Sequence, residues 1–447
     1  MNHQRKTKKA KKIIAYEKGN MVTEHPFPIL ELPILVLYVI ISKLPLRTIF
    51  SCKGVCRALL KLIEDPYFAR IHLNEALNTS NTIIVNENHF LPPLNSPSSY
   101  FRPHIIDLDY SPKKSSCSSD HHFYNQHIIC SQSGRVALRA VKCCFLEGNA
   151  VLVSSCNGLL CLYSPSLKKK PTYCICNPVI GECMTLPHPT FTSNYTYLNH
   201  SGFGFCPNTE QYKVLRFMSS ALTLRTVALV HTLGTGSWRN IGEAPCPKSQ
   251  LCFDSFLDGK LHLITDSPKI SDKIYSFDLE TEKFEPVPVP AHFSPEYFSK
   301  ISWISVGVVS GCLCLCYTSS DAYFEVFAME EYGIVESWIK KFAIDIKFYC
   351  GLRTVDLRRP IKFLNNGELL FLYKFNSLVS YSPQKGTFRD IKSLGNGRAE
   401  AIAHVSSFMS LKNHVFERSI KSEKIKLERP TVVQNVSSIV DDSSVSS

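Results

Sequence analysis

One short segment carries five side chains that could hold a metal: Cys117, His121, His122, His127 and Cys130. Thiolates and imidazoles are the usual zinc ligands, but a structural site needs four of them at set spacings, commonly around a CxxC pair. This segment has no such pair and its spacing matches none of the common zinc patterns, so it reads as a Ser/His-rich loop without metal. With 18 cysteines and 15 histidines in the chain, accidental Cys/His neighbours are inevitable and prove no nucleophile. No phosphate loop, HExxH or GxSxG occurs. GFGFCP and LGTGSW lack the third glycine and the following helix of a dinucleotide fingerprint. A non-catalytic protein without cofactor is therefore expected, and its function should lie in surfaces.

The chain has 447 residues, 44% of them hydrophobic, enough for a substantial core and a second small domain. Its net charge is +12, but Arg5, Lys6, Lys8, Lys9, Lys11, Lys12 and Lys18 against Glu17 put half of that excess in the first 18 residues. Residues 1–26 thus read as a basic disordered arm, solvated or serving localisation. Without aromatic interleaving or a nucleic-acid motif, nucleic acid is not an expected partner. The cysteines fall mid-strand, as Cys312, Cys314 and Cys316, or on helices, as Cys52 and Cys56, which suits free thiols in a reducing compartment. The apolar run from Ile34 to Ile41 is too short for a membrane span and has no small-residue cleavage site after it. Asn78, Asn194, Asn199 and Asn435 begin sequons of the kind that arise by chance. A cytoplasmic and/or nuclear protein, with no membrane partner, is expected.

Residues 27–75 hold the densest helical signals. Leu32, Val36, Leu37, Ile40, Ile41 and Leu44 recur at helical spacing, Pro33 sits where a first-turn proline is tolerated, and Pro45 ends the run. A second short helix bears Ile49 and Phe50. A third carries Val55, Leu59, Leu62 and Ile63, and Asp65-Pro66 offers an N-cap and first-turn proline for a fourth with Phe68 and Ile71. So small a unit cannot bury all of these side chains internally, which points to a partner surface.

The same stretch resembles the F-box of plant proteins from Leu32-Pro33 through Leu44-Pro45 and Val55 to the Asp65-Pro66-Tyr67-Phe68 exit. The resemblance implies docking onto a Skp-type adaptor, and through it a cullin, by Leu32, Pro33, Leu37, Ile40, Leu44, Pro45, Val55, Leu59 and Leu62. Where the family usually has acidic residues this chain has Ile34, Leu35 and Val39, and Leu59 stands in place of a tryptophan.

Residues 76–149, rich in Asn, Ser, Pro and His, read as a linker with room for a partial blade. From about residue 150 short apolar alternations punctuated by turns take over, an all-β signature. A turn glycine followed by an apolar strand repeats at Gly158, Gly259, Gly311 and Gly367, which lie 101, 52 and 56 residues apart, with Gly204 near the middle of the long gap. A period near 50 is that of kelch-like propeller blades, giving roughly five blades over 150–412 and a sixth if the linker supplies one. Trp238, Trp303 and Trp338, like Phe277, Phe284 and Phe388, are expected to pack between blades. Residues 413–447 read as a flexible tail.

SSCNGLLCLY, NPVIGE, GFGFCPNTEQYKVLRF, LDGKLHLI, IYSFDLETEKFEPVPVP and LVSYSPQKGTFRDI, in that order, resemble the F-box-associated domain of plant F-box proteins. The expectation is an α+β multidomain chain: a small all-α F-box, then an all-β kelch-like propeller. As the family implies, it would be the substrate-recognition subunit of a ubiquitin ligase, whose propeller binds an unidentified target protein. The alternative is a stand-alone protein-binding or enzymatic propeller with a degenerate F-box. Loops 187–199, 265–273 and 290–300 are the candidate recognition loops.

Overall fold

The computed structural model describes residues 29–79, 82–88, 103–108, 135–137, 150–164, 171–189, 195–220, 223, 225–248, 255–319, 323–345, 357–374, 376–394 and 398–412. The basic arm, the Cys117–Cys130 cluster and the C-terminal tail lie outside these residues.

Four helices open the chain: α1 (Ile34–Ser42), α2 (Leu46–Lys53), α3 (Arg57–Glu64) and α4 (Pro66–Thr79). Pro33 and Pro45, both in extended backbone with ψ near 140°, set the starts of α1 and α2. Asp65 starts α4 by accepting from the Tyr67 amide at 2.7 Å, while its other oxygen accepts from the Tyr38 hydroxyl at 2.7 Å, tying α1 to α4.

Six four-stranded antiparallel sheets follow, so the structure has six blades. The second to sixth are contiguous in sequence. They comprise Val151–Cys156, Leu159–Ser164, Thr172–Asn177 and Glu182–Thr185; Tyr195–Cys206, Gln211–Ser220, Thr226–Thr232 and Arg239–Glu243; Phe256–Leu257, Lys260–Ile264, Ile274–Asp278 and Phe284–Val287; Ile301–Val309, Cys312–Ser319, Tyr323–Met329 and Trp338–Asp345; and Leu357–Phe363, Leu369–Tyr373, Ser377–Ser382 and Thr387–Ser393. The first blade is composite. Thr82–Asn88, Pro103–Asp107 and Arg135–Ala137 come from the Asn/Ser-rich stretch after α4, and Arg398–Ala403 returns from the far end to pair with Thr82–Asn88. The circle is closed by hydrogen bonds between chain ends more than three hundred residues apart, such as Thr82 Oγ1 to the His404 carbonyl at 2.5 Å.

Each blade is apolar on both faces because both are covered by neighbours. Along Leu159–Ser164, Leu160 and Leu162 face the first blade while Leu159 and Cys161 face the third. Cys312, Cys314 and Cys316 all turn toward the sixth blade, and burial pushes the Cys314 thiol up to about 12, so it is packing material and no nucleophile at neutral pH. The tryptophans join these layers as expected. Trp303 stacks on Phe324 at 6.0 Å, and the Trp238 and Trp338 indoles donate to the carbonyls of Pro187 and Pro288 at 2.7 and 2.9 Å, each tying a blade to its predecessor.

The repeated glycines make the tight turns between first and second strands. Asn157 and Gly158 have φ of 49° and 83°, a pair of left-handed residues that suits the strand twist. Gly204 belongs to no such turn: the third blade turns at residues 207–210, and a Cβ on Gly204 would come within 2.7 Å of Leu279 and Phe256. That glycine serves close packing against the fourth blade.

Candidate docking surfaces

The helices and the propeller share one core. Tyr38, Ile41, Ile49, Ile63 and Phe68 pack in the same cluster as Ile84, Ile105, Leu152, Leu160 and Val179 of the first two blades. The segment after the closing strand, residues 404–411, is wedged between them. The Phe408 ring lies 5.6 Å from Phe50, 5.7 Å from Phe68 and 4.9 Å from His72. From the propeller side, Asn177 donates to the carbonyls of Ser407 and Met409 at 2.9 and 2.8 Å and accepts from the Val179 amide at 2.9 Å. Glu182 accepts from the Leu411 amide at 2.8 Å. Gly158 is obligatory here for a second reason, since a Cβ would fall 2.1 Å from that of Ser407.

Two buried histidines at this junction stay neutral. Burial lowers His72 from its ordinary 6.5 to about 4 and His404 to about 3. His404 Nδ1 lies 2.9 Å from Ser155 Oγ. The unfolded chain takes up protons below about 6.5 while the folded chain refuses them until about 4 or 3. Stability is therefore lost as pH falls through that window, by up to about 1.4 kcal/mol per pH unit for each histidine. Denaturant midpoints should drop between pH 7 and pH 5, and the slope should be shallower in His72→Leu, which has one fewer group to protonate.

The outer surface of the helices splits the sequence-predicted residues three ways. Pro33, Ile40, Pro45 and Val55 are exposed, Val55 at 71%. Leu32, Leu44 and Leu59 are half-buried against the shared core, where Leu59 occupies the tryptophan position. Leu37 and Leu62, only 5% and 7% exposed, turn inward and hold the helices together. The residues that sequence reasoning did not assign to the surface are Ile34 and Leu35, exposed at 56% and 57%, together with Val36 and Val39. Their signal was the unbroken apolar run of α1, longer than one inward face can use. Lys43, Arg47, Arg57 and Lys61 are exposed on the same group of helices, as are Glu31 and Glu64.

The strand order fixes what lies at the other end. Turns between first and second and between third and fourth strands emerge at the end carrying the helices, as Gly158 and Asn177 show. Antiparallel pairing then sends the second-to-third loops and the blade-to-blade connections to the opposite end. Residues 187–189, 265–273 and 290–300 belong to that set; the last contains α5 (Pro295–Ser299), capped by Ser294 accepting from the Tyr297 amide at 3.1 Å. Against the fifth blade, Tyr297 donates to Glu325 at 3.2 Å and Glu325 pairs with Lys340, which holds this connection in place.

Comparison with known proteins matches a domain model to each of the two parts. The F-box domain model matches residues 29–71, and the model of the F-box associated beta propeller domain matches residues 110–415, more than half of the chain. The chain is a plant-type F-box protein of the F-box-associated propeller family. Among its relatives in Arabidopsis thaliana, F-box protein At3g07870 is 30% identical over 54% of this chain and 65% of its own length, just under two thirds of that relative. F-box/kelch-repeat protein At3g23880 is 23% identical over 80% of this chain and 89% of its own. Among solved structures, TolB from Acinetobacter baumannii aligns with a TM-score of 0.43 at 11% identity, covering 75% of this chain and 71% of that one. An F-box joined to a propeller has the architecture of substrate-recognition adaptors, which are typically non-catalytic. Among the described residues of this F-box protein no group of three or more His, Cys, Asp or Glu could hold a metal, and no helix is long and apolar enough to cross a membrane.

Proposed function

We propose that this F-box protein is the substrate-recognition subunit of a Skp-cullin-F-box ubiquitin ligase, acting in the cytoplasm and/or nucleus. The observation that carries the reading is the polarity of the molecule: an exposed apolar strip on α1 at one end of the propeller and the blade-to-blade connections at the other. Ile34, Leu35, Val39, Ile40 and Val55 form the centre of the adaptor contact, with Pro33 and Pro45 at its edges. Leu32, Leu44 and Leu59 support it from below, and Leu37 and Leu62 act from inside by holding the helices in register. The exposed cations of these helices, Lys43, Arg47, Arg57 and Lys61, outnumber the exposed acids Glu31 and Glu64 and favour an adaptor surface of acidic character. The connection end receives the target protein. No covalent chemistry is asked of the chain; it raises the effective concentration of target lysines at a ubiquitin-loaded enzyme.

Co-purification of the full chain with a plant Skp-type adaptor tests this. Recovery of adaptor and cullin supports it, while a folded chain that captures neither would leave the propeller acting alone. Deleting the helices is a poor control, because it would expose the buried Ile84, Ile105 and Leu160.

A further inference from the structure

Three connections from three blades meet at one point on the end away from the helices. Lys248 follows the outer strand of the third blade, Lys273 closes loop 265–273 of the fourth, and Phe298 lies on α5 at the entry to the fifth. The Lys273 ammonium is 4.3 Å from the centroid of the Phe298 ring and the Lys248 ammonium 5.4 Å. Lys273 is only 8% exposed, and neither ammonium forms an ion pair among the described residues. Asp266, the carboxylate whose charge acts on Lys273, lines the adjoining cleft of about 530 Å³ with Glu243, Cys246 and Asp272. Burial and then the charge of Lys248 lower the Lys273 pKa, and Asp266 opposes them without reversing the shift.

The fold thus brings two like charges onto one ring at a partly desolvated point. A ring quadrupole offsets only a part of one cation's desolvation. Two compact ammonium groups with six donors between them match a dianion with three acceptor oxygens, whereas a single carboxylate would leave one charge uncompensated. We propose that Lys248 and Lys273, set on Phe298, bind the phosphate group of a phosphorylated side chain on a protein docked at this end. The proposal deepens the reading of this end as the target-binding end and rests on it for the identity of the partner.

The test is thermal unfolding of the full chain alone, with inorganic phosphate or with phosphoserine amide, against chloride at equal ionic strength. No adaptor is present, so the result is independent of ligase assembly. Both phosphate compounds should raise the midpoint by about 2 to 4 °C near ten times their dissociation constant. Lys273→Met should lose the shift, and so should Lys248→Met, whose exposed side chain can be changed without disturbing packing. Equal shifts in wild type and Lys248→Met would overturn the site. A shift with inorganic phosphate but none with phosphoserine amide would overturn its assignment to a modified protein side chain.

Discussion

Truncation of Phe408 to alanine is expected to destabilise the junction between the helices and the propeller by about 3 to 5 kcal/mol, the usual range for a buried phenylalanine. The ring is 6% exposed and touches three aromatic side chains from α2 and α4, so its removal leaves a cavity that neither rigid neighbour can close. Because Asn177 and Glu182 still hold the backbone of residues 407–411 to the second blade, the propeller side should keep its structure. The expected result is asymmetric. In Phe408→Ala, proteolysis should cut within residues 29–79 well before it reaches the blades, and thermal unfolding should split into two transitions. A single transition shifted as a whole, with no early cleavage among the helices, would show that the two parts do not depend on this wedge. The functional stake is geometric: a receptor fixes the distance between target and ubiquitin-loaded enzyme only if its two ends are joined rigidly.

Much of this architecture was legible because its signals are local. Asn157-Gly158, Asp258-Gly259 and Ser310-Gly311 must turn tightly wherever they occur, and the apolar strands that follow them need cover on both faces. The composite first blade was harder to see because no repeat encodes it in one place. Its closing strand, RAEAIA, alternates small and polar residues and acquires meaning only from a partner at Thr82–Asn88. Gly204 marks the third blade but not its turn, since a glycine selected for close approach looks in sequence like one selected for a turn.

The adaptor surface shows the same limit. Periodicity groups Leu37 with Ile40 and Ile41, but on a helix apolar all round it cannot say which side another element covers. The propeller settles that by burying Leu37, Tyr38 and Ile41, and Leu35 and Val39 are left outside. Phe408, the centre of the junction, lay in a segment with no periodic pattern at all.

That division leads to a sharp difference between two sets of variants. Ile34→Asp combined with Leu35→Asp places two charges on side chains more than half exposed in the free protein, so folding should be nearly unaffected. In the complex the same carboxylates would be desolvated inside an apolar contact, costing several kcal/mol, and adaptor affinity should fall by on the order of 100-fold or more. Leu37→Ala and Leu62→Ala should behave the opposite way, losing about 2 to 5 kcal/mol of stability through cavity formation, with adaptor binding weakened only as far as the helices loosen. Circular dichroism melts paired with adaptor titrations separate the two classes. If the double aspartate variant binds as well as wild type, the strip of Ile34 and Leu35 is not the contact, and the adaptor reading would have to move to the Pro45–Val55 side of the helices. If it loses binding while melting normally, the aliphatic residues standing where the family carries acids are themselves the docking surface, and the chain engages its adaptor through apolar burial.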